Sequence, residues 1–286
     1  MIDVSETSGL DLPGLLAVAE GVLDAVERPF IDGLGSPRAV GKAGDDFATE
    51  VDLSLERRIA LDLQERTGIG VHGEEFGGPA ADSGPVWILD PIDGTYNYSV
   101  GMPIAAMLLA LAVDGEPVLG ITRLPLLGQR YSGIVGVGGG FTVDGMPAHR
   151  LQPTPLKAAV IGCGAFNLRA GGRYPGTGRA ELYGALSHRA RRLRMTGSTG
   201  TDMAYVAAGI FGGAVSFSYH AWDNAAGAAL VRAAGGHATD VHGEPWRVGS
   251  ATLVTGGPGL HEELLQVIAD SGVAGDDTTE NKVGKQ

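Results

Sequence analysis

An apolar run that breaks into two aspartates, Val86-Trp87-Ile88-Leu89-Asp90-Pro91-Ile92-Asp93-Gly94-Thr95, constrains this chain more than any other stretch. Val86, Trp87, Ile88 and Leu89 suit a buried strand. A helix through them fails because Pro91 lacks the N–H that a helix interior needs and clashes with the preceding turn. The strand is expected to stop at Asp90. A carboxylate at the end of a buried strand costs on the order of several kcal/mol unless something positive faces it, and two carboxylates also repel each other. A hard cation removes both objections, since Asp90, the Ile92 carbonyl and Asp93 are oxygen donors of the type Mg²⁺ selects. Gly94 and Thr95 then offer backbone N–H groups at what reads as the first turn of a short helix, a place suited to phosphate. The alternative is a surface turn with an Asx cap.

The chain has 286 residues, of which 44% are hydrophobic, enough for one domain or for two subdomains sharing a cleft. A formal net charge of -12 argues against a nucleic-acid partner, which would need clustered Lys and Arg, but leaves a phosphorylated small molecule open if metal ions supply the positive field. Cys163 is the single cysteine, so no internal disulfide forms and a reducing compartment, the cytoplasm, is expected. No membrane-spanning apolar stretch is present in the sequence, and a soluble protein is expected. The 47 glycines follow no three-residue period and point to tight turns and close backbone approaches.

Residues 1–9 carry no pattern and are expected to fray. A helix is expected over residues 12–30, stopped by Pro29, followed by a Gly/Pro link over 33–44 that contains Lys42. Thr49 or Asp52 caps a second helix that runs to about Thr67 with Leu55, Ile59 and Leu63 inward. A short strand over 69–72 ends in Gly73-Glu74-Glu75, so two neighbouring strands end in carboxylates, where open α/β sheets collect ligands. Hairpin-joined strands over 105–143 imply antiparallel pairing. A soft boundary near 151–155 divides the chain into residues 1–152, 153–272 and a disordered tail over 273–286. Residues 167–177, rich in Gly and Arg, suit a mobile loop near the ligand, and a helix is expected over 181–191. Residues 196–200 form a small-residue nest before another helix, which either holds an anion or merely starts that helix. Asp223 follows a strand over 214–219 and is either a helix cap or a further carboxylate of the acidic set Glu74, Asp90 and Asp93. Such a set suits metal-assisted phosphoryl transfer to water.

Gly73-Glu74-Glu75, the hexapeptide Asp90 to Thr95, and Trp222-Asp223-Asn224-Ala225-Ala226-Gly227, together with Lys42 and Thr49-Glu50-Val51-Asp52, resemble the signatures of the inositol monophosphatase family in order and spacing. The resemblance covers residues 12–270. It implies a layered α/β fold, an α-β-α-β-α sandwich, commonly dimeric, in a metal-dependent, lithium-sensitive phosphatase. It further implies that Glu74, Asp90, the Ile92 carbonyl, Asp93 and Asp223 hold two or three Mg²⁺ ions. Asp52 and Thr95 would orient the attacking water with Glu75 beside them, the Gly94 and Thr95 amides would hold phosphate, and Lys42 would contribute weakly. Asp93, Gly197, Ser198 and Thr199 would face the sugar or cyclitol.

One departure concerns the alcohol. Seven residues before Asp223 the inositol-hydrolysing members of the family carry a glutamate, and here Ser216 stands in its place; the aspartate usual slightly earlier is replaced around Gly212-Gly213. The phosphate-cleaving machinery is thus expected intact, with relaxed alcohol recognition shared by Ser216, Ser218, Thr199 and Asp93. The candidate substrates are myo-inositol 1-phosphate, fructose 1,6-bisphosphate, histidinol phosphate and a 3′-phosphoadenosine nucleotide, the last helped by Arg169, Arg173 and Arg179. Inositol 1-phosphate is preferred because it needs only hydroxyl partners. The reading from a different class is a catalytically inactive metal-binding protein.

Overall fold

A computed structural model describes residues 9–42, 47–136 and 140–275. The expectations for residues 1–8, for the 43–46 part of the link, for Val137 and for the tail from 276 onward lie outside the described residues. Helix α1 (Leu12–Asp32) begins at Asp11, whose side chain accepts the Gly14 N–H. Pro29 does not stop it: the ring costs the bond its N–H would have made, yet the helix runs on to Asp32, and Gly33 closes it onto the Pro29 carbonyl. Strands β1 (Arg38–Gly41) and β2 (Phe47–Thr49) form a hairpin where a structureless link was expected, because β1 is exposed throughout and shows no alternation. Both proposed caps of α2 (Glu50–Thr67) are used at once: Thr49 is the N-cap and Asp52 completes a capping box.

The strands β3 (Val71–Gly73), β4 (Pro85–Asp93), β5 (Ala106–Val113), β6 (Glu116–Leu124), β7 (Gln129–Ile134), β8 (Phe141–Val143) and β9 (Met146–Pro147) form one seven-stranded sheet in chain order. Apart from the parallel β3–β4 pair it is antiparallel. Strand β4 does not end at Asp90. An irregularity between Asp90 and Asp93 shifts the register and Asp93 still pairs with Ala106, so the acidic turn is a bulge inside the sheet, ahead of the short helix α3 (Thr95–Ser99).

The rest of the chain builds a second sheet. Its elements are β10 (Val160–Cys163), α4 (Gly176–Arg189), β11 (Arg192–Arg194), α5 (Thr199–Ala207), β12 (Gly213–Ser216), α6 (Ala221–Ala233), β13 (His237–Thr239), β14 (Leu253–Gly256) and α7 (Leu260–Ser271). The sheet order is β11-β10-β12-β14-β13. Helix α4 starts at Gly176, so the expected 167–177 loop is shorter and its last residues are helical. Val273, placed in the tail by the sequence, instead packs into the core of α4 and α7.

Three apolar cores among the described residues hold together five layers, an α-β-α-β-α sandwich. One core lies between α1, α2 and the first sheet, one between that sheet, α5, α6 and the second sheet, and one between the second sheet, α4 and α7. Period-two alternation sorts β5 between two of them. Met107, Leu109 and Leu111 face α1 and α2, while Ala106, Ala110 and Ala112 face α6, itself lined by Ala225, Ala226 and Ala228. Small residues on both sides let α6 lie close to the sheet, which brings the start of α6 near the end of β4.

Candidate active site

The ends of β3 and β4 and the heads of α5 and α6 meet at the site, and α2 supplies its floor. Glu56, buried one turn beyond Asp52, accepts the Glu75 N–H (2.8 Å) and the Phe76 N–H (2.9 Å) and so shapes the turn after β3. A Cβ on Gly73 would lie 2.0 Å from Glu56 Oε1, so a side chain there would have to displace the Glu56 carboxylate from the two N–H groups it holds. On this turn Lys42 Nζ bonds Glu74 Oε1 (2.5 Å) and Glu75 Oε1 (2.7 Å). Burial lowers the Lys42 ammonium pKa, but the two glutamates outweigh it and the net shift is upward. Glu74 and Glu75 are both raised, first by burial and only partly relieved by Lys42.

At the bulge of β4, Asp90 is buried and its Oδ1 accepts the Ile92 N–H (3.0 Å). Gly94 follows with φ of 84°, and a Cβ there would press on the Gly197 and Ile104 carbonyls at 3.1 Å. Thr95 Oγ1 donates to the Ile92 carbonyl (2.9 Å) and lies 3.4 Å from Asp52 Oδ1, while Asp52 Oδ2 is held by the Thr49 N–H (2.8 Å) and hydroxyl (2.5 Å). Burial raises the Asp52 carboxyl against those bonds. Asp93 reaches the head of α5: it accepts from Ser198 Oγ (2.5 Å), Gly200 N–H (2.7 Å) and Thr199 N–H (3.2 Å). The anion at the residue 196–200 nest is therefore a side chain of the same protein. Asn97 ties the nest to α3 through the Ile104 and Thr196 carbonyls.

Asp223 is not a cap. His220 holds the N-cap position of α6 and Asp223 sits in the first turn, its Oδ2 accepting from Ser218 Oγ (2.5 Å). Trp222 beside it is braced by stacking on His220 and His72, with centroids 4.5 and 5.9 Å apart. The four acidic residues feel one another. Asp90 is held well above the carboxylate range by burial and then by Glu74, Asp93 and Asp223, and Asp93 is pushed to about 7 by burial and by Asp223. Among the described residues they do not close into a tight group of three. All-oxygen donors that destabilise one another's charge fit a hard dication.

A cavity of about 260 Å³ flanks these carboxylates, lined by residues that include Cys163, Arg179, Ser198, Thr199, Asp202, Ser216 and Ser218. A larger one of about 320 Å³, between Leu151, Ala159 and Phe211, is lined by no carboxylate, and chemistry is therefore assigned to the smaller. Cys163, remote from the motifs in sequence, reaches the site in space, but burial pushes its thiol to about 12, which rules out a ready thiolate. Ser216 lines the cavity with its Oγ accepting the Ser218 N–H (3.2 Å). Arg169 and Arg173 are exposed and do not line it. Sequence reasoning missed Glu56, Asn97 and Asp202. Only Glu56 left a signal, an acid one turn from Asp52 on the apolar side of α2.

The model of the inositol monophosphatase family matches residues 15–272. Inositol-1-monophosphatase ImpA of Mycolicibacterium smegmatis is 51% identical over 272 residues, covering 95% of this chain and 98% of that protein. The probable inositol 1-monophosphatase ImpA of Mycobacterium tuberculosis is 47% identical over 258 residues, covering 90% and 95%. Among solved structures, a Thermotoga maritima IMPase superposes with a TM-score of 0.77 at 26% identity, covering 90% of this chain and 96% of that one. With the signatures at residues 73–75, 90–95 and 222–227 assembled around one cleft, these matches show that the chain belongs to the inositol monophosphatase family.

Proposed function

We propose that the protein hydrolyses small phosphomonoesters in the presence of Mg²⁺, myo-inositol 1-phosphate foremost, by direct attack of water on phosphorus. The observation that carries this reading is the meeting of Glu74, Asp90, Asp93 and Asp223 beside the Thr95–Asp52 pair. Glu74, Asp90, the Ile92 carbonyl, Asp93 and Asp223 would hold the ions. Bound Mg²⁺ supplies charge neutralisation of the phosphate and a lowered pKa for the attacking water. Thr95 Oγ1 and Asp52 Oδ1, 3.4 Å apart, would orient that water between them, with Oδ1 the oxygen that takes its proton because Oδ2 is committed to Thr49. The Gly94 and Thr95 amides receive the phosphate oxygens, with Lys42 and Glu75 alongside. No side-chain nucleophile is required. The names of the two ImpA relatives support inositol phosphate as substrate.

The proposal includes two or three Mg²⁺ ions, a homodimer, lithium sensitivity and a cytoplasmic location, all supported by family membership. Among the described residues no helix is long and apolar enough to cross a membrane. The test is phosphate release from inositol 1-phosphate by the wild type and by Asp90→Asn. The variant is expected to lose at least about a hundredfold in kcat/KM together with the Mg²⁺-induced rise in Tm. Wild-type turnover by the variant overturns the site. Release of no phosphate by the wild-type protein from any phosphomonoester would instead support an inactive metal-binding protein.

A further inference from the structure

Every polar atom of Ser218 is engaged, in the bend that leads into α6. Its N–H donates to Ser216 Oγ (3.2 Å) and its carbonyl accepts from Asn224 Nδ2 (2.9 Å). Its Oγ accepts the His220 N–H (3.2 Å) and gives its proton to Asp223 Oδ2 (2.5 Å). A serine hydroxyl carries a single proton, so one spent on a carboxylate cannot also be donated to an alcohol. The sequence suggested Ser218 as a partner of the substrate's hydroxyls, yet its hydroxyl is committed to a carboxylate of the acidic set.

Asn224 holds the bend in place. It is buried in α6, and its Nδ2 divides its two protons between the Ser218 and His220 carbonyls (2.9 and 3.0 Å). Its Oδ1 has no partner among the described residues, so the two carbonyls alone fix the amide, and turning it over would set oxygen against oxygen. The bend is thereby pinned to the helix it precedes, and Ser218 Oγ is carried to Asp223 in the first turn. Asp223 needs such a tether. It is half-buried, Asp90 and Asp93 repel it, and an untethered carboxylate in that position gains by turning out to water. With Oδ2 on Ser218, its orientation is set before any ion arrives.

We propose, on the metal-dependent reading above, that Ser218 is a positioning residue: held by Asn224, it fixes the Asp223 carboxylate for Mg²⁺ and takes no part in recognising the alcohol. Ser216, Thr199 and Asp93 are then the residues left to meet the alcohol.

The test is Mg²⁺ binding without substrate, by isothermal titration calorimetry, beside kcat and KM for myo-inositol 1-phosphate in saturating Mg²⁺. Ser218→Ala should weaken Mg²⁺ binding by about tenfold or more, the usual scale for removing the partner of a metal ligand, and move KM by less than about twofold. Ser218→Thr, which keeps the hydroxyl, should bind Mg²⁺ within about threefold of wild type. Asn224→Leu should weaken Mg²⁺ binding on its own, and by less than about twofold where Ser218 is already alanine, because it acts through that hydroxyl. A Ser218→Ala protein that binds Mg²⁺ within about twofold of wild type, a rise of about tenfold in its KM, or a loss that Ser218→Thr does not recover overturns the proposal and leaves the phosphatase standing. Additive losses at the two positions overturn the part given to Asn224. A wild type that binds Mg²⁺ yet releases no phosphate overturns the phosphatase reading alone, and one that binds no Mg²⁺ overturns both.

Discussion

Glu56→Gln replaces one of two carboxylate oxygens with an amide nitrogen at a place where both oxygens accept backbone N–H groups, from Glu75 and Phe76. Whichever way the amide turns, one N–H loses its acceptor and faces another donor. A hydrogen bond to a charged group is worth roughly 1.5–3 kcal/mol. Part of that loss is returned because glutamine has no charge to bury, and burial is the main force holding the Glu56 carboxyl above its ordinary pKa. The net expectation is a stability loss of roughly 2 kcal/mol, or about 4 °C in Tm for a chain of this size. Function should fall further than stability does, since the same turn carries Glu74 and Glu75: kcat/KM is expected to drop by about tenfold or more, the usual cost of losing a group that orients metal ligands. Thermal melting and phosphate release, measured side by side at a temperature where both proteins are folded, check the two effects separately. A Glu56→Gln protein that melts within about 1 °C of wild type and keeps its activity would refute the reasoning. One that melts lower but turns over normally would leave Glu56 a purely structural support.

Lys42→Gln leaves Glu74 and Glu75 without their ammonium partner. Mg²⁺ addition should then raise Tm by more than it does in wild type, and an equal or smaller rise would show that lysine and metal do not compete for Glu74. Gly227→Ala puts a Cβ 2.4 Å from Met203 Cβ between α5 and α6, too near the side-chain base to be relieved by a rotamer change; denaturant unfolding should show a loss of roughly 1–3 kcal/mol. His261 is buried against Thr239 Oγ1 (2.9 Å), and burial followed by the charge of His237 lowers its pKa from 6.5 to about 4. A histidine depressed in the folded state contributes stability that is fully present above 6.5 and is lost as pH falls toward 4. The loss amounts to at most roughly 3 kcal/mol, and His261→Asn should flatten that part of the stability profile.

The strands that bury both faces were the most legible part of the sequence, because the unbroken apolar run over residues 106–113 suits an interior strand packed on both sides. The acidic bulge was legible for a related reason: Asp90 and Asp93 make no sense in an apolar strand unless something binds them. Its geometry was not, since only pairing of Asp93 with Ala106 shows that the sheet continues through it. Strand β1 was invisible because its four residues are exposed and show no alternation. Pro29 misled because the helix absorbs the lost hydrogen bond and runs on to Asp32. Asp223 looked like a cap because capping is a local property of sequence, whereas its bond to Ser218 depends on how the chain bends before α6. Glu56 left only its place one turn from Asp52 on the apolar side of α2, while Asn97 and Asp202 act through a partner 99 residues away or through a cavity, and no local pattern announces that.

The clasp of Asp93 on the head of α5 makes the two sheets mechanically answerable to one another. Ser198, Thr199 and Gly200 all bond a side chain from the far end of β4, so any widening of the gap between the layers must first pull three donors off one carboxylate. On the proposed reading an ion held by Asp93 would change the charge on that same carboxylate, and so alter how firmly the layers are held. The Thr199 and Gly200 amides sit at the seam, and the rate at which they trade hydrogen for solvent deuterium becomes a local gauge of whether the cleft is loaded, legible without any turnover at all.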